Sequence, residues 1–292
     1  MKILITGGDG FIARSLYEQI NCDHTVLSLN RRKLDLLDSK KVFNCIAKQK
    51  PDVVIHAATY DAAPINSKKD PTKVLANNLN MFFNLARCKD HFGKMIYFGS
   101  GAEFSREHWQ PKMKEDYFGQ HIPVDPYGLS KYIMTQHAQL SRNIYNLRLF
   151  GVFGEYDDWR YRFISNVCCK AVLNRPITFE KNKFFDFLYI DDLVKIVQWF
   201  ICNDPKQQVY NVCSGQSHEF KALAQKVLKA AGKDLKVVIK TKAMRIEYSG
   251  DNALLMKELK NFKFSPIDDA IGKIYHWYEK NQYMIKAEDF HY

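Results

Sequence analysis

A tyrosine and a lysine four residues apart are the clearest candidates for chemistry in this chain. Tyr127 and Lys131 lie in the run Pro-Tyr-Gly-Leu-Ser-Lys, just where a helical pattern begins. Positions i and i+4 share one face of a helix, so both side chains can serve one pocket. A phenol is a poor acid or base near neutral pH, and a nearby cation lowers its pKa. The pair therefore indicates a proton-transfer site, although this spacing also arises by chance.

A glycine-rich turn near the N-terminus is the second chemical pattern. It follows the strand-like run 2–6 and opens a helical pattern. Glycines there permit positive φ and let a pyrophosphate approach backbone N–H groups at the helix N-terminus. Because a tight turn alone would not require this context, we expect dinucleotide binding. The residues expected to contact the dinucleotide are Gly7, Gly10, Phe11 and Ile12.

The end of the second expected strand distinguishes NADP from NAD. An NAD site usually has a carboxylate there for the ribose hydroxyls, whereas this chain has Asn30, Arg31 and Arg32. Guanidinium groups suit a 2′-phosphate because they offer several donors in a planar fork. We therefore expect NADP(H) ahead of NAD(H), which stays open because both arginines could be solvated loop charges. Asp35 and Leu36 are expected near the adenine.

Composition sets the class of protein. The 292 residues, 46% of them hydrophobic, suffice for one large globular domain with a smaller attachment. We see neither a signal peptide nor an apolar run long enough to span a bilayer, so no membrane contact is expected. The seven cysteines are scattered without metal-ligand spacing, which favours a reduced, cytoplasmic protein and no metal site.

The net charge of +11 has two interpretations. A lysine-rich surface keeps a protein soluble, and a positive field also attracts anions such as nucleotides. The basic residues are dispersed and form no recognised motif, so nucleic-acid binding is not expected.

The element pattern predicts the scaffold of these groups. Short β-rich runs alternate with helical patterns through the first half, which is typical of a parallel sheet covered by helices on both faces. Beyond residue 150 the rhythm changes, and a smaller lobe is expected. We predict an α/β fold, a Rossmann-type doubly wound parallel sheet with a smaller C-terminal α/β substrate-binding lobe. The dinucleotide domain is expected over 1–155 and about 186–215, and the substrate lobe over about 156–185 and 216–292.

The individual elements are predicted as follows. Strands are expected at 2–6, 25–29, 53–56, 95–98, 145–150, 187–190, 209–212 and 237–239. Helices are expected up to about 20, around 40–50, from 71 to about 88, and over the Tyr127/Lys131 pair. The segment 151–154, with glycine at both ends, is predicted as a loop.

Several motifs occur in one order that has a known counterpart. The glycine turn, His56-Ala57-Ala58, Ser100 and the Tyr127/Lys131 pair together resemble the extended short-chain dehydrogenase/reductase family. That family comprises NAD(P)-dependent epimerases, dehydratases and reductases of nucleotide sugars. The resemblance covers nearly the whole chain, since later segments also fit: Leu147–Gly151, Phe187–Leu193, Asn211–Gly215 and Asp251-Asn252.

The resemblance implies a mechanism. Tyr127 would be the acid/base, and Lys131 would lower its pKa while bonding to the nicotinamide ribose. Ser100 would bond the substrate carbonyl oxygen. In a reduction, hydride passes to the keto carbon while Tyr127 donates a proton to the oxygen. The remaining cofactor contacts implied are Ala57, Ala58 and Asn78. His56, by contrast, is expected to pack near the cofactor without a catalytic role.

Departures from the family indicate which reaction is involved. The family's dehydratases follow the catalytic hydroxyl residue with an Asp-Glu pair, where this chain has Gly101 and Ala102. The stretch 31–38 resembles the group containing GDP-fucose synthase and dTDP-4-dehydrorhamnose reductase. Epimerisation by GDP-fucose synthase uses a Cys and a His, and the matching positions here are Ala102 and Arg160. These absences favour an NADPH-dependent reductase of a nucleotide-linked 4-keto-6-deoxy sugar or keto-heptose.

Two other functions stay open. An NAD-dependent nucleotide-sugar 4-epimerase needs only Ser, Tyr and Lys, although the arginines after the second strand argue against it. A non-catalytic NADPH-binding sensor on the same fold would not need all three groups.

The substrate side is less clearly marked. Tyr60, Glu103, Arg160, Lys183 and Arg245 are the residues expected to bind a nucleotide-diphosphate sugar. The arginine that relatives place just before Asp186 is Phe185 here. Aromatic residues around Trp159 either pack the small lobe or stack on the base. Members of the family commonly dimerise through the helices flanking the sheet, including the one that bears Tyr127, so a homodimer is expected.

Overall fold

The computed structural model describes residues 1–20, 22–61, 69–241 and 246–290. The strands of this part of the chain are, in order, β1 (Lys2–Thr6), β2 (Thr25–Leu29), β3 (Val53–His56), β4 (Lys94–Ser100), β5 (Ile144–Leu149), β6 (Gly151–Phe153), β7 (Ile177–Lys181), β8 (Phe184–Tyr189), β9 (Val209–Val212), β10 (Ser217–Glu219), β11 (Val237–Thr241) and β12 (Glu247–Tyr248). The helices are α1 (Phe11–Ile20), α2 (Ser39–Gln49), α3 (Val74–Ala86), α4 (Pro126–Gln139), α5 (Phe163–Val172), α6 (Ile190–Cys202), α7 (Phe220–Ala231), α8 (Ala253–Leu259) and α9 (Ile267–Lys280).

A parallel sheet with the order β2-β1-β3-β4-β5-β9 forms the centre of the molecule. Every neighbouring pair in it is parallel. β3 and β5 are buried along their whole length, as expected for strands covered on both faces. The predicted strands at 2–6, 25–29, 53–56 and 209–212 are confirmed, and β4 extends its prediction through Ser100.

Helices cover both faces of this sheet, which makes it doubly wound. Alternate strand residues point to opposite faces, so Leu4 and Val54 join one apolar cluster while Ile3 and Ile5 join the other. The first cluster takes in α2, α3 and α4, and the second takes in α1 and α6. The predicted α/β fold is therefore confirmed, and the burial of these apolar side chains is what holds the layers together.

A second, smaller sheet is built around β8. It pairs with β6 and β12 in parallel and with β10 in antiparallel orientation, while β7 and β11 form a separate parallel pair. The prediction of a loop over 151–154 is wrong, because Gly151–Phe153 pairs with Phe187–Tyr189. Backbone pairing with a strand distant in sequence outweighed the local glycine signal. α5, α7 and α9 pack together beside these strands.

No helix in the described ranges combines the length and apolar character needed to cross a membrane.

Candidate active site

The Tyr127/Lys131 pair lies in the first turns of α4, beside the end of β4. The side chain of Asp125 accepts a hydrogen bond of 2.9 Å from the Gly128 N–H and caps the helix. Pro126 occupies the first turn, where its missing N–H costs nothing. Local sequence therefore sets where α4 begins, and that start places Tyr127 near the sheet edge that ends in Ser100.

The hydroxyl of Tyr127 is within electrostatic reach of Ser100, Asp61, Arg162 and Arg106. Burial, with a smaller effect of the Asp61 carboxylate, raises the pKa of Tyr127 to about 12, although Arg162, Ser100 and Arg106 act to lower it. The phenol is therefore protonated at neutral pH. In that state it can donate a proton to a substrate oxygen.

Lys131 is a buried cation directly below this pair. Its Nζ donates a hydrogen bond of 2.8 Å to the carbonyl oxygen of Phe98 and lies 5.8 Å from the ring centroid of Tyr127. Burial lowers the pKa of Lys131 to about 8, although the charges of Glu103 and Asp61 raise it. Lys131 thus keeps a proton at neutral pH but loses it more readily than an exposed lysine.

Glu103 is not a pocket residue, so that prediction is wrong. Its side chain is fully buried. One carboxylate oxygen accepts the Ser100 N–H at 2.9 Å, and the other accepts Arg148 Nε at 2.7 Å. A buried carboxylate persists only when it is paired and hydrogen-bonded, as here. Glu103 instead fixes the backbone that presents Ser100.

The glycine turn has the shape of a phosphate cradle. Gly7 has φ +74°, and a Cβ there would lie 2.8 Å from Cα of Ala58. The Gly10 N–H donates to the Gly7 carbonyl at 2.8 Å, and α1 begins at Phe11. The fold brings this turn against Ala57-Ala58. Because the glycines have no side chains, space remains beside the N–H groups at the start of α1. A dinucleotide phosphate would fit this space.

The segment after β2 keeps its guanidinium groups accessible. Arg31 is 74% exposed at its side chain and forms an ion pair of 3.7 Å with Asp35. Arg32 is exposed as well. Asn30 donates to Asp9 at 3.1 Å, which ties this segment to the glycine turn. Leu36 packs its side chain into the core, and its carbonyl oxygen accepts the side-chain amide of Asn84 at 2.8 Å, so neither is available to a cofactor.

Asn78 and Tyr60 shape the segment that follows β3. The Asn78 amide accepts the Tyr60 N–H at 2.8 Å and donates to the Tyr60 carbonyl at 3.0 Å. The Tyr60 hydroxyl accepts the Asp70 N–H at 3.0 Å. Both ends of the buried amide are thus occupied by the main chain. Asn78 also donates to the Ser130 hydroxyl of α4 at 3.4 Å, and it thereby holds this segment against that helix.

Two arginines at the start of α5 differ in what they face. Arg160, predicted to bind substrate, donates from Nε to Asp158 at 2.7 Å. The negative charge of Asp289 also favours its charged form by raising its pKa. Arg162 stands at the N-cap of α5, within electrostatic reach of Tyr127 and Asp61. The structure therefore favours Arg162 over Arg160 at this site.

Further positive charge lies near the start of β8. Burial lowers the pKa of Lys183, and the charges of Lys181 and Arg106 lower it too. Arg106 forms an ion pair of 3.3 Å with Asp125 and lies over the ring of Trp109 at 5.4 Å. Sequence reasoning missed Arg106. Arg245, also predicted to bind substrate, lies outside the described residues.

Tyr248 on β12 is the second residue that sequence reasoning missed. Its ring stacks on Trp109 with centroids 4.0 Å apart, and Ser100 is among the groups that act on its pKa. A Cβ on Gly101 would lie 2.6 Å from the Tyr248 ring. No local pattern marks Tyr248, because its partners lie far earlier in the chain.

His56 and the metal-binding residue types offer no further chemistry here. His56 Nδ1 is 2.9 Å from Thr6 Oγ1, and burial together with Lys131 lowers its pKa to about 3. It is therefore neutral. Among the described residues, no group of three His, Cys, Asp or Glu side chains could hold a metal ion.

Comparison with known proteins gives one family and several similar folds. The family model described as "NAD dependent epimerase/dehydratase family" matches residues 3–213. The chain is 24% identical over 255 residues to GDP-L-colitose synthase of Yersinia pseudotuberculosis, covering 80% of this chain and 82% of that protein.

Two solved structures share the fold at low sequence identity. GDP-L-fucose synthetase from Naegleria fowleri bound to NADP has a TM-score of 0.84 at 18% identity, covering 97% of this chain and 93% of that chain. GDP-mannoheptose C4 reductase from Campylobacter jejuni with NADP bound has a TM-score of 0.81 at 18% identity, with 95% and 98% coverage. These likenesses confirm the Rossmann-type fold.

Proposed function

This chain belongs to the NAD dependent epimerase/dehydratase family, and from that premise we propose that it is an NADPH-dependent reductase. The proposed substrate is a nucleotide-linked 4-keto-6-deoxy sugar or keto-heptose. The observation that carries the proposal is the protonated Tyr127, within reach of Ser100 and with the buried cation Lys131 at 5.8 Å from its ring.

The chain's own groups suit the protonation half of a carbonyl reduction. Ser100 orients the substrate oxygen, and Tyr127 transfers its proton to that oxygen as negative charge develops there. The charge of Arg162 lowers the pKa of Tyr127 and so favours the phenolate left behind. A reduced nicotinamide, when bound, supplies the hydride. Lys131, beneath the pair, is the cation that would meet the nicotinamide ribose.

The environment of Gly101 supports a reductase over a dehydratase. Dehydration would require an acid and a base beyond the Ser100 hydroxyl, and Gly101 and Ala102 have neither. The ring of Tyr248 fills the space that a side chain at Gly101 would need, at 2.6 Å from a Cβ there. A simple substitution could not restore that chemistry.

Charge supports the proposed ligands. The accessible Arg31 and Arg32 suit a 2′-phosphate, which is why we propose NADPH. Lys183, Arg106 and Arg162 supply positive charge that suits a nucleotide diphosphate. We propose that 1–155 with about 186–215 holds the dinucleotide and that about 156–185 with 216–292 binds the sugar nucleotide, in a homodimer. GDP-L-colitose synthase and the GDP-mannoheptose C4 reductase are similar proteins whose names are consistent with such a substrate.

A single assay tests the function. Purified protein is mixed with NADPH and a panel of nucleotide-linked 4-keto-6-deoxy sugars and keto-heptoses, and loss of reduced nicotinamide absorbance is followed. We expect NADPH to disappear in equal amount to the keto sugar. A Tyr127→Phe variant should bind NADPH as the wild type does but consume none. Activity retained in that variant would refute the role of Tyr127.

One observation favours a second candidate, an NAD-dependent nucleotide-sugar 4-epimerase. Arg31 is already paired with Asp35 at 3.7 Å, and a carboxylate near the end of β2 is typical of NAD sites. Turnover of a UDP-hexose without net loss of cofactor would support the epimerase and reject the reductase. NADPH binding without turnover of any sugar would support the non-catalytic sensor.

A further inference from the structure

The end of β4 that carries Ser100 is held by two buried, charged side chains. β3 stops at His56, so the last residues of β4 extend beyond it. There the Nζ of Lys131 donates to the Phe98 carbonyl at 2.8 Å, and one oxygen of Glu103 accepts the Ser100 N–H at 2.9 Å. Side-chain hydrogen bonds therefore fix the backbone beside Ser100 where β3 no longer borders it.

Glu103 also connects this strand end to α4. The amide nitrogen of Asn146, on β5, donates to both Glu103 oxygens at 3.2 Å and to Thr135 Oγ1 at 2.7 Å. The Thr135 hydroxyl in turn donates to the Lys131 carbonyl at 2.9 Å. All of these side chains are buried, so water does not weaken the bonds between them. A continuous path thus joins the Ser100 N–H to the turn of α4 that bears Lys131.

The carboxylate of Glu103 is held in place by Arg148. Arg148 Nε donates to one Glu103 oxygen at 2.7 Å, and its Nη1 donates to Asn211 Oδ1 of β9 at 3.0 Å. Both side chains of the ion pair are fully buried. Space is tight as well, since a Cβ on Gly99 would collide with a Glu103 oxygen and with Asn146 Oδ1. The carboxylate is therefore confined to this position.

We propose that Glu103 is a positioning residue, which sets the place of the Ser100 hydroxyl relative to Tyr127 and Lys131. Its side chain is fully buried and cannot touch a substrate. It acts on the Ser100 backbone directly and on α4 through Asn146. The proposal rests on the function proposed above, because that function gives the three site residues their roles. A misplacement of about 1 Å among such groups can slow a reaction about a hundredfold.

The first test is Glu103→Gln, which keeps the size of the side chain but leaves one accepting oxygen in place of two. That oxygen should stay with the guanidinium of Arg148, because hydrogen bonds to charged groups are stronger. The new NH2 group would then face the Ser100 N–H, and two donors cannot bond to each other. We expect kcat for NADPH-dependent reduction to fall roughly tenfold to a hundredfold. KM for the keto sugar should stay within about twofold of the wild type.

A second, isosteric variant tests the link to α4 without touching the ion pair. Thr135→Val removes the hydroxyl that accepts from Asn146 and donates to the Lys131 carbonyl. We expect kcat to fall roughly fivefold to tenfold, the size of one net hydrogen bond. The matched control is Tyr97→Phe, since the Tyr97 hydroxyl bonds to the same Thr135 hydroxyl at 3.0 Å but lies outside the path to Lys131. This control should lower the melting temperature as much as Thr135→Val does and leave kcat unchanged.

This pair of variants decides the matter even if Glu103→Gln does not fold. An unchanged kcat in Thr135→Val would overturn the proposal, because the link to α4 would then have no effect on the reaction. Equal losses of kcat in Thr135→Val and Tyr97→Phe would also overturn it, since both would then follow from lower stability alone.

A double-mutant cycle separates positioning from a merely structural role. If Glu103 acts through the Ser100 hydroxyl, adding Glu103→Gln to a Ser100→Ala variant should cost little further rate. Additive losses would overturn the proposal, because Glu103 would then act independently of Ser100. A rise in KM at constant kcat would also overturn it, since that pattern marks uniform binding of the substrate.

Failure of the proposed function is distinguishable from failure of this inference. If the wild type consumes no NADPH with any keto sugar but turns over a UDP-hexose, the reductase proposal has failed. The same variants are then measured on that turnover, where Ser100 would serve the same oxygen. Non-additivity there would support the role of Glu103, and additivity would refute it. A wild type that turns over neither kind of sugar would overturn both proposals.

Discussion

The ionisation of single residues at the site is governed mainly by burial. Burial raises the pKa of Tyr127 to about 12 and lowers that of Lys131 to about 8. A buried group resists its charged form, whatever the sign of that charge. The phenol of Tyr127 therefore stays protonated throughout the neutral pH range. Lys131 is the member of the pair that loses its proton just above neutral pH.

A pH profile should reveal Lys131. We expect kcat/KM for the reduction to fall as pH rises through about 8, because Lys131 loses the charge that the site requires. The measurement is initial NADPH oxidation between about pH 6 and pH 10. Lys131→Arg keeps the charge at every such pH, so its alkaline limb should move upward. An unchanged limb in that variant would assign the titration to another group.

Arg31 should determine cofactor choice. Arg31→Ala should weaken NADPH binding roughly tenfold to a hundredfold, as expected for the loss of hydrogen bonds between charged groups. NADH lacks the 2′-phosphate, so its affinity should change little. Both dissociation constants can be measured by titrating nicotinamide fluorescence. Lys33→Ala, which removes a neighbouring exposed cation, is the control, and an equal loss for both cofactors would contradict the assignment.

At the scale of elements, the loop between β6 and α5 is tied into the small lobe by Asp157. This carboxyl is 6% exposed and accepts the Ser165 hydroxyl at 2.9 Å. The Tyr278 hydroxyl of α9 donates to the Asp157 carbonyl at 3.2 Å. Five residues later the chain reaches Arg162, so these contacts also fix the arginine that acts on Tyr127. A change in the conformation of this loop would therefore also move Arg162 and change the pKa of Tyr127.

Asp157 should make stability depend on pH. Burial raises its pKa from 3.8 to about 7, so the folded state binds more protons than the unfolded state between those values. Its contribution to stability is full below about pH 4 and is lost as pH rises through about 7.

The test is the Asp157→Asn variant, which cannot ionise. It should melt above the wild type at about pH 8 and close to it at about pH 5, as measured by differential scanning calorimetry. Asp158→Asn, next in the chain, serves as control and should show no such pH-dependent difference. If the Asp157→Asn difference were the same at both pH values, ionisation of Asp157 would not be its cause.

At the scale of the whole molecule, α3 and α4 present an apolar surface. They pack against each other on one face of the central sheet. Phe83 on α3 is 36% exposed, and Leu140 just after α4 is 89% exposed. The rings of Phe83 and His137 meet at 5.2 Å, which connects the two helices at this surface. A second copy of the chain would cover these side chains in the homodimer proposed above.

The dimer is testable by mass. Light scattering after size exclusion should give twice the chain mass of 34.1 kDa for the wild type. The double variant Phe83→Glu/Leu140→Glu should run as a monomer, because it would bury two carboxylates at the interface. Tyr283→Glu changes a residue that is 80% exposed elsewhere on the molecule and should stay dimeric. A monomeric wild type would reject the dimer.

The parts of the molecule that the sequence determined are those governed by local chemistry. The turn at Gly7 depends on a backbone conformation that favours glycine, and the meeting of Tyr127 with Lys131 depends on helical spacing after an Asp-Pro start. The central strands could be predicted because their apolar runs and turns are short-range patterns. The strand Gly151–Phe153 could not, since its partner strand is distant in the sequence.

Only the tertiary structure decided which groups face the site. The sequence placed Glu103 in the substrate pocket and gave no sign of Tyr248, yet Glu103 is buried against Arg148, and Tyr248 reaches Gly101 from β12. Arg162, and not Arg160, lies within reach of Tyr127, because the start of α5 sets the direction in which each of the two side chains points. Burial and long-range partners fix the ionisation of these groups. Those quantities exist only once distant segments are packed together.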